Sequence, residues 1–176
     1  MVLNQHRAGS SLPTSKGKFM SHLTWSSELD TGISEIDQQH KQIMVLINRL
    51  QDARDSGDRE GILAVVNDLV DYTVSHLDFE ESMLEKVQYE FLGGHKKVHT
   101  LLVRNVTGIQ QRIQAGEDVV HELHSLLHRW LFNHILHDDA AYVRVVRPKA
   151  QELVEDKAEG GWLSRALGSF FRKATA

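Results

Sequence analysis

One long stretch decides the fold: residues 62–87 read ILAVVNDLVDYTVSHLDFEESMLEKV. Its inward positions recur every three or four residues, which is the period of one face of an α-helix rather than of a strand. These positions are Ile62, Val65, Leu69, Thr73, His76, Glu80, Met83 and Val87. The pattern predicts a helix from Asp58 to about Lys86, which at 1.5 Å per residue would be on the order of 40 Å long.

Three further stretches of the chain have the same helical period. Their inward positions are Ile36, His40, Ile43, Ile47 and Leu50, then His95, His99, Leu102, Val106, Ile109 and Ile113, then Val120, Leu123, Leu127, Trp130 and His134. Glycines interrupt the pattern at Gly57, at Gly93 and Gly94, and at Gly116, and Pro148 is predicted to end the last helix. Short connections make neighbouring helices antiparallel. The sequence therefore predicts an all-α protein, an up-down-up-down antiparallel four-helix bundle.

The composition is that of one ordinary globular domain. The chain has 176 residues, 41% of them hydrophobic, and a net charge of −4, so its charge gives no reason to expect nucleic acid as a partner. It has no cysteine, which excludes thiolate–metal sites, iron–sulfur clusters and cysteine nucleophiles. No apolar run approaches the roughly 18 residues needed to cross a bilayer, and the N-terminus lacks the pattern of a signal peptide. We expect a cytoplasmic protein.

The chain divides into three segments. Residues 1–23 are predicted to be a flexible N-terminal tail, residues 24–148 the bundle, and residues 149–176 a C-terminal extension. Within the extension, apolar side chains at helical spacing alternate with basic ones over residues 160–173, which predicts a short amphipathic helix. Two interpretations of this helix stay open: it binds a membrane surface or a protein partner, or it folds back on the bundle or packs in a dimer.

Polar side chains interrupt the apolar pattern at positions that it assigns to the core. They are His40, His76, Glu80, His95, His99 and His134. A single buried histidine is most often an ordinary core residue with a hydrogen-bond partner. Six such residues on four helices converge on the bundle axis, where an unpartnered polar group costs several kcal/mol. A shared metal ion would satisfy them together.

The spacing of these side chains favours a metal site. Two pairs are four residues apart and so share one face of their helix: His76 with Glu80, and His95 with His99. Asp139 follows His134 by five residues, about 140° around an ideal α-helix, which is a poorer alignment. Five imidazoles and two carboxylates exceed the needs of one tetrahedral ion and suit two six-coordinate ions bridged by both carboxylates. This donor set is compatible with non-haem iron.

These motifs and their flanks resemble the bacterial hemerythrin family over about residues 24–146. The segments that carry the resemblance are Trp25–Leu29 with Thr31-Gly32-Ile33, Ile36-Asp37-Gln38-Gln39-His40, His76-x-x-x-Glu80, His95-x-x-x-His99 and Trp130-Leu131-x-x-His134-Ile135-x-x-x-Asp139. The resemblance implies two non-haem iron ions (Fe2+/Fe3+) with a bridging oxo or hydroxo group. It implies these ligands: His95, His99 and His134 for one iron, His40 and His76 for the other, with Glu80 and Asp139 bridging.

The resemblance also implies that the chain binds dioxygen reversibly and is not an enzyme, with a role in oxygen storage, delivery or sensing. Two other functions stay open. In one, oxidation of the irons signals to a partner protein. In the other, the centre activates oxygen as a diiron oxidase or peroxidase. The enzyme is the weaker alternative, because ferritin-like diiron sites use four glutamates and two histidines, and neutral imidazoles stabilise high oxidation states less well than carboxylates.

Other side chains near the motifs have less specific roles. Ile43 and Trp130 are expected to line the ligand pocket, with plain core packing as the alternative for Trp130. Glu81 is predicted to point about 100° away from Glu80 into solvent, and Asp138 is out of register with the motif. Three histidines of the fourth helix are predicted to lie on its flanks, in a solvated or structural role or at an adventitious surface metal site: His121, His124 and His128.

Overall fold

The computed structural model describes residues 22–158, with side chains described as far as Lys149. Every regular element in this part of the chain is helical. The elements are a 3-10 turn Ser27–Leu29, α1 Ser34–Ser56, α2 Arg59–Lys86, α3 Leu92–Gln114, α4 Val120–Asn133, a π-helical turn His134–Asp139 and α5 Ala140–Ala158. Because α4, the π turn and α5 follow one another without a break, together they form the fourth long helix.

The four long helices pack as a closed bundle. Helix α1 contacts α2 and α4, and α3 also contacts α2 and α4, so each helix has two neighbours and the ring is complete. The connections between them are short, as antiparallel neighbours require. The predicted four-helix bundle is therefore confirmed. No helix in the described range is long and apolar enough to span a bilayer.

The first turn of the bundle lies where the sequence predicted it. Gly57 follows α1 with a φ of 72°, the left-handed conformation in which a glycine ends a helix without strain. Its backbone N–H donates to the carbonyl of Arg54 at 3.1 Å. Asp58 then caps α2, since its side chain accepts a hydrogen bond of 2.9 Å from the backbone N–H of Gly61.

The predicted break at Gly93 and Gly94 is wrong. Both glycines lie in the first turn of α3, and the connection from α2 is the stretch 87–91, where Gln88 has a φ of 55°. A glycine lowers helix propensity by only about 1 kcal/mol relative to alanine. Burial of the inward face of α3, which begins at His95, outweighs that loss.

Pro148 does not end the fourth helix as predicted but lies inside α5. A proline removes one N–H donor, and the carbonyl left without it is that of Arg144, four residues earlier. Both residues are exposed, so water can bond this carbonyl, while Val146 between them stays buried in the core. The solvent-facing position of the proline explains why the helix continues.

The packed chain begins earlier than the predicted boundary at residue 24. Leu23 is buried, and its backbone N–H and C=O both pair with the side-chain amide of Asn48 on α1, at 2.8 and 2.9 Å. His22 Nε2 lies 2.8 Å from Asp52 Oδ1 on the same helix. The predicted amphipathic segment 160–173 and residues 1–21 lie outside the described residues.

A band of polar side chains separates two apolar clusters along the bundle. On α2, Leu69 belongs to the larger cluster and Met83 to the smaller one, which also contains Tyr142. His76 and Glu80 lie between them on the same face and are fully buried. The polar band is therefore enclosed by apolar packing on both sides.

Candidate metal centre

All four long helices contribute to one buried polar cluster. Its members are His40 from α1, His76 and Glu80 from α2, His95 and His99 from α3, and His134 and Asp139 from the two ends of the π turn. None of the seven side chains is more than 7% exposed. Five of them are fully buried: His40, His76, Glu80, His134 and Asp139. The predicted inward positions are therefore inward, and all seven side chains belong to one cluster.

The helix that carries His40 is anchored by an acidic side chain one turn earlier. Asp37 Oδ1 accepts hydrogen bonds from the backbone N–H and the hydroxyl of Thr31, at 2.8 and 2.7 Å. Its Oδ2 accepts from the N–H of Gly32 at 3.2 Å. These bonds hold the incoming chain against the start of α1, so the Thr-Gly-Ile and Ile-Asp-Gln-Gln-His motifs form one structural unit.

Glu80 lies at the centre of the cluster. Its carboxylate lies close to four imidazoles, those of His95 at 2.9 Å, His134 at 3.4 Å, and His76 and His99 both at 3.7 Å. These histidines come from three different helices. A carboxylate offers two oxygens, so Glu80 can act as a metal ligand together with any of these imidazoles.

Asp139 reaches the cluster because the helix changes its winding. Residues 134–139 form a π turn, in which hydrogen bonds run from i to i+5, so residues five apart face the same side. Asp139 Oδ1 lies 3.0 Å from His134 Nε2, and Oδ2 lies 3.3 Å from His40 Nε2. The expected poor alignment of Asp139 with His134 is thus wrong, since it assumed an α-helix.

The ligand atoms form two overlapping groups, each within 4.8 Å. One contains Glu80, His95, His99 and His134, and the other contains His40, His76 and His134. His134 takes part in both groups, and its Nε2 lies 3.4 Å from that of His99. Each of the two groups could hold a metal ion, and they share one imidazole.

Burial keeps several of these imidazoles neutral. Desolvation lowers the pKa of His76 and of His99 to about 3, and it holds the pKa of His40 well below the ordinary value. Burial also opposes a charge on His134, but the neighbouring carboxyls of Asp139, Asp138 and Glu80 outweigh it and raise the pKa of His134. Neutral imidazole is the form that coordinates a transition metal.

The two buried carboxyls differ. Burial alone would raise the pKa of Glu80, but hydrogen bonds from His134 and His95 outweigh it and hold this pKa well below its usual range. Burial, reinforced by the charge of Glu80, raises the pKa of Asp139. Two like charges in one dry site are therefore unfavourable without positive charge between them. A cation would supply it.

Unpartnered polar atoms test whether the residues fit a metal. His76 Nε2, both ring nitrogens of His40 and both carboxylate oxygens of Asp139 are buried and form no hydrogen bond with the described residues. Buried polar atoms are normally hydrogen-bonded, because leaving them unpaired costs free energy. Four of these five atoms face one another within the cluster. Nitrogen and carboxylate donors in this number fit two iron ions.

Second-layer hydrogen bonds orient three of the histidines. In each case the bond is made by the Nδ1 atom, on the side of the ring away from the cluster. The partner of His76 is Gln39 Oε1 at 2.8 Å, and the partner of His99 is Glu81 Oε1 at 2.9 Å. The partner of His134 is Asp138 Oδ2 at 3.4 Å. The predicted outward position of Glu81 is wrong, because its side chain is only 23% exposed. These partners could have been found from their position in the sequence, because each is the immediate neighbour of a cluster residue. Glu81 follows Glu80, Asp138 precedes Asp139, and Gln39 precedes His40.

Trp130 and Ile43 lie next to the cluster. The indole of Trp130 stacks on His134, with ring centroids 4.2 Å apart. Ile43 is fully buried, one turn after His40 on α1, and belongs to the larger apolar cluster. Trp130 therefore covers one face of His134 with an apolar ring, whereas Ile43 contributes to the apolar packing of α1 one turn from His40.

The three other histidines of the fourth helix differ in exposure. His121 is exposed and His128 half-buried, but His124 is only 2% exposed, so its predicted place on a flank is wrong. His124 is four residues after Val120 and three before Leu127, and the inward face of a bundle helix is wide enough to include it. None of the three belongs to a metal-capable group in the described part of the chain.

Comparisons with known proteins agree with this geometry. Residues 31–146 match the family model described as Hemerythrin HHE cation binding domain. Bacteriohemerythrin of Pseudomonas aeruginosa is 53% identical over 152 residues, which is 86% of this chain and 99% of that protein. Bacteriohemerythrin of Stenotrophomonas maltophilia is 42% identical over the same shares of the two chains. A crystal structure of wild-type hemerythrin has a TM-score of 0.68 and 31% identity, and covers 71% of this chain and 98% of its own. The chain therefore belongs to the hemerythrin family.

Proposed function

We propose that this protein binds dioxygen reversibly at a non-haem diiron centre, in oxygen storage, delivery or sensing in the cytoplasm. The observation that carries the proposal is the convergence of five imidazoles and two carboxylates in one buried cluster. Membership of the hemerythrin family supports it. When bound, the two irons would supply the electrons with which dioxygen is held and then released.

We assign the ligands by their grouping. His95, His99 and His134 would hold one iron, His40 and His76 the other. Glu80 and Asp139 would bridge the two ions together with an oxo or hydroxo group. The central position of Glu80 supports a bridging role. Asp139 lies between the imidazoles of His40 and His134, which supports the same role for it.

The unequal number of histidines supports one place for an exogenous molecule, beside His40 and His76. The position with three imidazoles has one protein ligand more than the position held by His40 and His76. The two-histidine position therefore keeps a site for a small ligand, as reactive metal sites generally do. Ile43 lies one turn from His40 and would form an apolar wall there, excluding water.

The donor set favours a carrier over an enzyme. Neutral imidazoles stabilise highly oxidised iron less well than carboxylates, and here imidazoles outnumber carboxylates five to two. We therefore propose that oxygen leaves the site unchanged.

A paired experiment tests the function. The protein reconstituted with ferrous iron without oxygen would be titrated with dioxygen and then purged with argon, while its visible absorption is followed. We expect two irons per chain and a spectrum that returns on purging. A turnover assay with hydrogen peroxide and reducing co-substrates is the counterpart. Steady consumption of co-substrate without reversible binding would contradict the proposal and favour the oxidase or peroxidase alternative.

A matched pair of variants adds specificity to the test. His76→Ala removes a proposed ligand, and we expect it to abolish reversible oxygen binding. His137→Ala removes an exposed imidazole three residues after His134, whose Nδ1 pairs with the backbone carbonyl of Asn133 instead of the cluster. This control should bind oxygen as the unmodified protein does.

A further inference from the structure

Two histidines of the cluster have carboxylates behind them. The Nδ1–H of His99 donates to Glu81 Oε1 at 2.9 Å, and that of His134 donates to Asp138 Oδ2 at 3.4 Å. Glu81 forms the shorter bond and is the less exposed of the two acids, with 23% of its side chain exposed against 37% for Asp138. Its charge is therefore less screened by water.

The histidines of α1 and α2 have no such charge behind them. The Nδ1–H of His76 donates to the neutral amide oxygen Oε1 of Gln39 at 2.8 Å. The Nδ1 of His40 forms no hydrogen bond with the described residues. The two sides of the cluster thus differ in the charge behind their histidines. A carboxylate lies behind His99 and His134, whereas His76 has a neutral amide behind it.

A carboxylate behind an imidazole changes that imidazole as a ligand. By accepting the Nδ1–H bond it fixes the tautomer in which the lone pair is on Nε2, and it raises the basicity of that nitrogen. A more basic nitrogen and a nearby negative charge both stabilise the more highly charged state of a metal ion. Replacing such outer partners typically lowers metal affinity by about 10- to 100-fold.

We propose that Glu81 is a positioning residue that makes the two iron positions unequal, so that the position served by His99 binds metal more tightly and favours the ferric state. The inference rests on the proposed function, since it assumes that the cluster holds two irons. Lys96 offers a second position at which the charge of Glu81 can be altered. Its Nζ lies 3.6 Å from Glu81 Oε2 and partly neutralises the carboxylate.

Three substitutions at two positions separate hydrogen bonding from charge. Glu81→Ala removes the acceptor and the charge, and Glu81→Gln keeps an acceptor oxygen but removes the charge. Lys96→Met leaves the carboxylate and removes its counter-charge. The control is Glu85→Gln, which removes the same charge from an exposed position one turn further along α2.

The first measurement needs no iron. Imidazole nitrogen NMR of the metal-free protein reports the tautomer of His99, which we expect to be Nδ1–H in the unmodified protein and in Glu81→Gln but mixed in Glu81→Ala. Titration with Co²⁺ against a chelator should then show one of two binding steps weakened by about 10- to 100-fold in Glu81→Ala.

The second measurement is the midpoint potential of each iron in the reconstituted protein. We expect Glu81→Gln to raise one of the two potentials, Lys96→Met to lower the same one, and Glu85→Gln to change neither. A tenfold change in the preference for ferric over ferrous iron corresponds to about 59 mV for a one-electron couple.

The outcomes are distinguishable. If the unmodified protein fails to bind two irons, the proposed function is overturned and this inference with it. If it binds two irons but Glu81→Gln has the same potentials as Glu85→Gln, only the inference is overturned. Glu81→Gln keeps the size and shape of the side chain, so the test stands even where Glu81→Ala fails to fold.

Discussion

The indole of Trp130 lies flat against the imidazole of His134, with ring centroids 4.2 Å apart and ring planes 17° from parallel. That imidazole also lies 3.4 Å from Glu80 and 3.0 Å from Asp139, the two carboxylates of the cluster. One face of a central side chain of the cluster is therefore covered by a large apolar ring. Such a cover excludes water from the site.

Replacing Trp130 by alanine should open this face to water. We expect the oxygen-loaded protein to oxidise spontaneously several-fold faster, while its iron content changes little, because no ligand atom is removed. Iron analysis and the decay of the visible absorption measure the two quantities. Trp25→Ala is the control, since Trp25 is a half-buried tryptophan that lies under Lys41 instead of on the cluster. A parallel loss of iron in Trp130→Ala would assign the indole a purely structural role.

Replacing Glu80 by alanine should lower the iron content sharply, from two ions per chain to one or none. The carboxylate lies within 3.7 Å of four imidazoles, so its loss removes a bridge and the negative charge that offsets the cations. Glu85→Ala, on the exposed side of the same helix, should retain both irons. Metal analysis of the two purified variants makes the comparison, and equal iron in both would contradict a bridging role for Glu80.

Helical periodicity was sufficient to predict that the six polar side chains interrupting the apolar pattern are buried. His76 and Glu80 are four residues apart in a stripe of apolar positions, and both are fully buried. The reason is that a 28-residue helix with one apolar face has only one way to bury it. Motifs that follow ordinary α-helical spacing are therefore predictable from sequence alone.

Deviations from ideal α-helix geometry were not predictable in this way. Asp139 would lie about 140° from His134 on an α-helix, and only the π turn brings the two within 3.0 Å. The role of Glu81 was missed for a related reason. Residues one apart point about 100° away from each other, but the packing of α3 against α2 brings His99 to the second acid. Both features depend on tertiary packing rather than on local pattern.

Removing the metal should destabilise the fold. Without a cation, the buried Nε2 of His76 and the carboxylate oxygens of Asp139 have no hydrogen-bond partner among the described residues. Metal that binds only the folded state adds free energy of unfolding, about 2.7 kcal/mol when its concentration is 100 times the dissociation constant. We expect a higher midpoint of thermal unfolding for the iron-loaded protein than for the chelator-treated one. Equal midpoints for the two forms would contradict a structural contribution from the metal.

The metal-free protein also has a predictable response to acid. Burial lowers the pKa of His76 and of His99 to about 3 in the folded chain, against an ordinary value of 6.5. Below pH 6.5 the unfolded chain therefore binds protons that the folded chain does not, and the free energy of unfolding falls with pH. His134 acts in the opposite sense, because its pKa is raised in the folded chain. Well below pH 6.5 it is protonated in both states and adds no slope, and above pH 6.5 the stability that it contributes is lost as the pH rises.

We therefore expect the metal-free protein to be most stable near pH 6.5 and to lose stability steadily as the pH falls from 6.5 towards 3. Each of the two imidazoles contributes a slope of up to about 1.4 kcal/mol per pH unit. Urea unfolding at several pH values measures it. His76→Gln should reduce the slope by the contribution of one proton, whereas the control His137→Ala, which removes an exposed imidazole outside the cluster, should leave the slope nearly unchanged. A slope that His76→Gln does not alter would mean that His76 is protonated in the folded chain after all.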